Sequence, residues 1–148
     1  MTNDIRKILQ RKLLEMFFED QNAIKKGNNR LWLRIRRKNA EALKAIIRES
    51  GWPTIRQAGR ESALAAWLIA QHADHDLKFQ KRCLVLIRVA AAKKQAEPKN
   101  LAYLTDRVLV NSGQPQIFGT QYRFNRKKGN LEPKPIRNLR QVDKRRAE

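Results

Sequence analysis

Acidic residues are what this sequence has little of, 14 against 33 basic ones in 148 residues, and cysteine is rarer still. Each shortage excludes something. A lone Cys83 excludes an internal disulfide and any multi-cysteine zinc site, and it suits a reducing compartment. The longest unbroken apolar run, "ALAAWLIA" at Ala63–Ala70, is far below the roughly 20 residues that cross a bilayer. The opening "MTNDIRKILQRK" is too charged for the apolar core of a secretory signal. Walker, dinucleotide-binding, serine-elbow and HExxH patterns are absent, as are zinc-finger, RRM and KH signatures. There is no internal repeat and no low-complexity segment. The expectation is one soluble, cytoplasmic domain over 1–148, long enough to bury roughly 68–70% of its unfolded surface.

What is present in excess is positive charge, a net +19. Such a field attracts nucleic acid, anionic membrane or acidic protein and is silent about fold. It is unevenly placed. Lys25–Lys38 holds seven basic residues and no acid; Arg123–Arg146 holds ten, opposed only by Glu132 and Asp143. The candidate phosphate contacts are Arg30, Arg34, Arg36, Arg37 and Lys38 in the first run and Arg123, Arg126, Lys127 and Lys128 in the second. Tyr122 and Phe124 alternate with Arg123; they either stack on bases or, the favoured reading, pack on the helices. A merely solubilising face is the alternative reading of the charge.

Periodicity predicts a mainly helical chain. Asn3 is positioned to cap a helix to about Lys26, with Ile5, Leu9, Leu13, Met16, Phe17 and Ile24 as its apolar stripe and Asp20 interrupting it. "GNN" at Gly27–Asn29 breaks that helix, and "RLWLRIRRK" reads as helix or extended, with helix preferred. Asn39 is then read as the cap of a helix carrying Leu43, Ile46 and Ile47, which stops at Gly51. Thr54 with Gln57 matches a capping box. Arg60–Ala73, apolar nearly all round, is the expected central helix. Asp74 is read as the cap of a helix from His75 to about Gln95, and Pro98 and Asn100 start one to about Asn111. The period then changes to two. "QIFGTQYRF" puts Phe118, Thr120, Tyr122 and Phe124 on one strand face, "NRKKGN" turns, and "LEPKPI" returns as an edge strand. The expected fold is about five helices around Arg60–Ala73 with a C-terminal β-hairpin over about Gln116–Ile136 and a short, charged tail.

Both histidines lie in "QHADHD", Gln71–Asp76. His72 follows Leu68 by four and Leu64 by eight residues, so it projects from the side of those apolar anchors; burial and a hydrogen-bond partner are expected. His75 lies past the turn and is expected to be exposed. This spacing fits no metal site, and neither metal nor cofactor is implied. Asp20 on its apolar stripe and Asp106 among Ala102, Leu109 and Val110 are two further ionisable groups breaching apolar faces. Either a polar pocket or a structural ion-pair network follows.

The residues at "GWPT", "AWLIAQHAD", "AYLTDRVLV", "PQIFGTQYR" and "VDKRRAE" resemble a bacterial family that is a domain of unknown function. The matching positions are Asp20 with Gln21, Gly51–Pro53, Gln71–Asp74, Asp106 with Arg107, Gln116 with Phe118–Gln121, and Val142 to Arg146. The resemblance spans nearly the whole chain and implies no activity. It does imply a shared pocket, because polar motif residues are scattered over several elements. The basic runs Lys25–Lys38 and Arg123–Lys128 lie outside the pattern, and relatives continue past "VDKRR" with Gly-Leu and a further segment.

Three functions compete on this reading. The first is polyanion binding, nucleic acid foremost, by phosphate contacts without sequence readout. The second is a small hydrolase or group transferase, with His72 as general acid or base, Asp106 or Asp20 orienting it, and Arg107 or Gln121 holding an anionic or amide group. The third is an interaction module, toxin or regulator whose polar residues only lock the fold. Oligomeric state is open.

Overall fold

The computed structural model describes residues 2–147. It is mainly helical with a C-terminal hairpin, as periodicity predicts. Helix α1 spans Asn3–Lys25, capped by Thr2 rather than by Asn3, which is the first residue of the helix. Its buried line is Leu13, Met16, Asp20 and Ala23, whereas Ile5 and Ile24 are exposed.

Helix α2 runs unbroken over Asn29–Ser50, capped by Asn28. Asn39 therefore caps nothing. It is buried in mid-helix, where its Nδ2 donates to the Met16 carbonyl at 2.9 Å and pins α2 to α1. That bond satisfies the Asn39 Nδ2 across the interface, while its Oδ1 is buried without a partner. Gly51, with φ of 78°, closes α2 as expected. The Thr54–Gln57 capping box is present and opens the single-turn helix α3, Ile55–Ala58.

Helix α4, Arg60–His72, is the centre of the fold: it packs against α1, α2, α3 and two later helices. Ala63, Ala65, Ala66 and Ala70 are buried along it, and such small side chains let several helices approach at once. Leu64, an anchor from which burial of His72 was argued, is 37% exposed. Helix α5, Leu77–Ala92, is capped by Asp76, whose Oδ1 accepts from Phe79 N–H at 2.9 Å. Asp74 is not the cap. The four residues 73–76 form the turn, and the second aspartate of the pair takes the capping role. Helix α6, Pro98–Asn111, packs on α4 and α5 and starts with proline at N1.

Only the distal part of the predicted hairpin is sheet. Strand β1, Tyr122–Asn125, pairs antiparallel with β2, Asn130–Pro133, and Arg123 faces Glu132. Residues 116–121 instead form a loop wrapped against α6, joined to the return chain by Gln116 N–H to the Pro135 carbonyl and Arg137 N–H to the Gln116 carbonyl. The tail forms a short helix α7, Val142–Ala147, with Val142 buried. Tyr122 and Phe124 are 53% and 61% exposed, which overturns the expectation that they pack on the helices. No helix among the described residues is long and apolar enough to cross a membrane.

Candidate functional site

His72 ends α4, and its Nδ1 lies 2.9 Å from Asp20 Oδ2 on α1. The Asp20 side chain is 2% exposed and that of His72 17%. Asp20 also accepts from Trp32 Nε1–H of α2 at 3.1 Å and from Gln21 Nε2 at 3.0 Å. An ionised carboxylate only accepts, so the proton sits on Nδ1 of the imidazole and the other ring nitrogen is left to act. That Nε2 has no partner among the described residues and reaches solvent. Trp32 stands edge-on to the ring at 5.6 Å and fixes its plane. Of the two carboxylates weighed for orienting His72, Asp20 does so.

A second centre adjoins the first. Asp74 accepts from Arg107 through Nε at 2.8 Å and Nη2 at 2.5 Å, from Asn111 at 2.8 Å and from Gln80 at 3.2 Å. Burial by itself lifts the Asp74 carboxyl, but Arg107, Asn111 and Gln80 more than offset it and hold it below its ordinary value. Arg36 connects the two centres. Its guanidinium lies 4.8 Å over the Trp32 ring and 3.8 Å from Asp74 Oδ2. Freed from capping, Asp74 thus binds α2, α5 and α6 together.

The third group is closed. Asp106 is 0% exposed, and its carboxylate accepts from Ile117 N–H (2.8 Å), Phe118 N–H (3.0 Å), Thr120 N–H (2.9 Å) and the Thr120 hydroxyl (2.9 Å). Gln116 and Gln121 complete the lock: Gln116 Nε2 donates to the Gln121 carbonyl and Gln121 N–H to Gln116 Oε1, both at 2.8 Å. Gln121 Oε1 accepts from Arg107 Nη1 at 3.0 Å, and its Nε2 donates to Thr120 Oγ1 at 3.0 Å. One chain of contacts therefore runs from His72 through Asp20, Trp32, Arg36, Asp74, Arg107, Gln121 and Thr120 to Asp106. His72 and Asp106 stand at its opposite ends and do not converge on a cavity. Asp106, Arg107 and Gln121 have their bonding capacity directed at other protein groups, and their assignment to catalysis is not supported by this geometry.

His75 is half-buried rather than exposed, and its Nδ1 is enclosed without a partner. Burial, then the charges of Arg37 and Arg36, push it below its ordinary value. Among the described residues no group of three or more His, Cys, Asp or Glu side chains is arranged to hold a metal ion.

The basic candidates divide. Arg36 is turned inward, Lys38 is bonded to Glu19 at 2.8 Å, and Arg123 lies 2.8 Å from Glu132, which Lys128 also approaches at 3.8 Å. Arg30, Arg34 and Arg37 are exposed at positions i, i+4 and i+7 of α2, and Arg126 and Lys127 are exposed in the hairpin turn. None of these five has a carboxylate partner among the described residues.

Sequence reasoning missed Trp32, Gln80 and Asn111 as members of the network, and misread Asp74. A second aspartate two residues on, Asp76, was the available signal: one cap suffices, so the other is free. Fold and site together define a mainly helical protein in which polar side chains from α1, α2, α4, α6 and the 116–121 loop form one network. The chain belongs to a family of unknown function (DUF6624), whose model matches residues 9–148. Comparison with curated proteins and with solved structures finds no match.

Proposed function

We propose that the protein binds polyanions, nucleic acid in particular, through phosphate contacts and without base readout, in the cytoplasm. The observation that carries this reading is the set of five exposed, carboxylate-free cations: Arg30, Arg34 and Arg37 along one side of α2, with Arg126 and Lys127 at the hairpin tip. A cation already paired gains little by meeting a phosphate, since it must first release its carboxylate. An unpaired one releases a counterion from the nucleic acid instead. The net charge of +19 adds long-range steering. The test is charge reversal. Arg34→Glu with Arg37→Glu should weaken binding of unrelated sequences alike, because phosphate contacts carry no base information. Arg36→Glu should differ by also destabilising the fold, because Asp74 and Trp32 hold that side chain. Sequence-selective loss in the Arg34/Arg37 variant would contradict the reading.

A second reading rests on the Asp20–His72 pair: a small enzyme, hydrolase or group transferase, using His72 Nε2 as acid or base. Asp20 holds the imidazole in one orientation and tautomer, as a positioned general acid or base requires. The residues of the family resemblance at Asp20, Gln21, His72, Asp74, Arg107 and Gln121 all belong to the network, which supports a common purpose. Incubation with a fluorophore–quencher single-stranded RNA checks phosphodiester hydrolysis. Cleavage abolished by His72→Gln and reduced by Asp20→Asn supports this reading, and cleavage indifferent to both removes it.

A further inference from the structure

At the Asp106 end of the network, on the far side from His72, a groove of about 810 Å³ opens between α6, the 117–120 loop and α7. Its walls are Leu101, Tyr103, Ile117, Phe118 and Tyr122, and Lys99, Arg145 and Arg146 also line it. Among the described residues no carboxylate does. The volume lies within the range of built ligand sites, roughly 300–1,000 Å³. Tyr103 is 43% exposed although its ring is held edge-to-face on Trp67 at 6.0 Å, so it is a rigid aromatic presented to solvent. Tyr122 opens β1 beside it, and Phe124, two residues on along the same pleat, is exposed too. Large aromatics in a folded chain are ordinarily covered. Here three stand open in or next to one groove.

The two arginines are set in place by backbone carbonyls. Arg146 Nε donates to the Phe118 carbonyl at 2.8 Å and its Nη2 approaches the Gly119 carbonyl at 3.5 Å. Arg145 Nη2 donates to the carbonyls of Arg137 and Asn138 at 2.6 and 3.0 Å. These bonds position the guanidinium groups and leave their charge uncompensated by any carboxylate among the described residues. An apolar, aromatic trough beside three cations with no carboxylate partner among the described residues matches a ligand with flat π-faces strung on a negative backbone. In a duplex those faces are turned inward and stacked on each other; in a single strand they are available.

Resting on the polyanion reading, we propose that this groove seats unpaired bases of single-stranded nucleic acid, with Tyr103, Phe118 and Tyr122 as the stacking surface and Lys99, Arg145 and Arg146 as the phosphate contacts. The protein is then a single-strand binder, and duplex binds only by the surface charge.

The experiment is fluorescence anisotropy at one fixed salt concentration. Its probes are a fluorescein-labelled 12-nucleotide oligo-dT, a 12-base-pair duplex, and an abasic strand of the same length and charge as the oligo-dT. The wild-type chain is compared with Tyr122→Ser, with Tyr103→Ser/Tyr122→Ser and with Arg34→Glu/Arg37→Glu, each first checked for native circular dichroism. The wild type should prefer oligo-dT over the abasic strand, and each lost tyrosine should weaken oligo-dT binding on the order of tenfold. Duplex and abasic binding should be unchanged by the serines. Tyr122→Ser alone decides the matter if loss of Tyr103 disturbs Trp67 and the fold. Equal binding of oligo-dT and abasic strand, or indifference of oligo-dT to both serines, overturns the inference while leaving the polyanion reading standing if Arg34→Glu/Arg37→Glu still weakens all probes. Failure of every probe to bind the wild type at low salt overturns both.

Discussion

Asp106→Ala is the perturbation with the largest expected effect on the fold. The carboxylate is inaccessible and accepts three backbone N–H groups and one hydroxyl, all from residues 117–120, at 2.8 to 3.0 Å. Hydrogen bonds to a charged acceptor each contribute about 1.5–3 kcal/mol, so the gross loss is large. Much of it is recovered if the loop detaches and its N–H groups turn to water. The net cost expected is about 3–5 kcal/mol, the range for breaking a buried charged arrangement. That is about a fifth or more of the roughly 5–15 kcal/mol available to a domain of this kind. Asp106→Asn retains one acceptor for Ile117 and Phe118 but turns an amide toward Thr120 N–H, so about half the loss is expected. Urea unfolding followed by circular dichroism measures both, with a shifted midpoint and an unchanged slope as the signature. Asp143→Ala, on an exposed residue of α7, is the control, within about 0.5 kcal/mol of the parent. An Asp106→Ala protein no less stable than that control would refute the assignment of this carboxylate to holding the loop.

His72→Ala removes one of the Asp20 partners and should cost about 1–3 kcal/mol by the same measurement; no loss would mean the imidazole does not bond to Asp20. Burial pushes the Cys83 thiol up to about 12, so Ellman's reagent should not react with the native chain and should react fully in denaturant. Rapid native labelling would contradict its burial. The folded-state value of His75 is below its ordinary 6.5, so the unfolded chain binds the proton first and stability falls as pH drops below 6.5. His75→Gln should remove that part of the acid sensitivity, and an unchanged pH profile would reject the enclosure of its ring. Asp74 is likewise lowered, so its contribution is full above its ordinary 3.8 and is lost as pH falls through its lower folded value. Asp74→Asn should flatten the profile there; a slope as steep as the parent's would sink the Arg107 clamp.

The helices were legible in sequence because each carries its own period: α4 as an apolar run, α6 from Pro98 to Asn111, and the turn chemistry at Gly51 and Thr54–Gln57. What was misread has a common cause. Asn39 and Asp74 belong to types that serve as caps, and a local reading assigns them that role. In the structure each is spent on a distant partner, Met16 O and Arg107, and no one-dimensional pattern announces a contact across 23 or 33 residues. The loop 116–121 failed as a strand for the same reason: Asp106 offers its N–H groups a better acceptor than a neighbouring strand would. Of the candidate site, Asp20, His72, Arg107 and Gln121 were visible as polar intrusions or motif residues. Their pairing was not, because His72 chose Asp20 over Asp106. Tyr122 and Phe124 were misjudged by weighing hydrophobicity alone, when a two-stranded hairpin has one face with nothing to cover it.

The salt dependence of duplex binding tests the polyanion reading most directly. Arg30, Arg34, Arg37, Arg126 and Lys127, without a carboxylate partner among the described residues, predict a log–log slope near −4.5 on duplex DNA, at about −0.9 per phosphate neutralised. Arg34→Glu with Arg37→Glu should make that slope shallower by roughly two contacts, whereas Lys38→Glu, at a cation already held by Glu19, should change it less. A slope near zero, or no binding at low salt, would contradict the account.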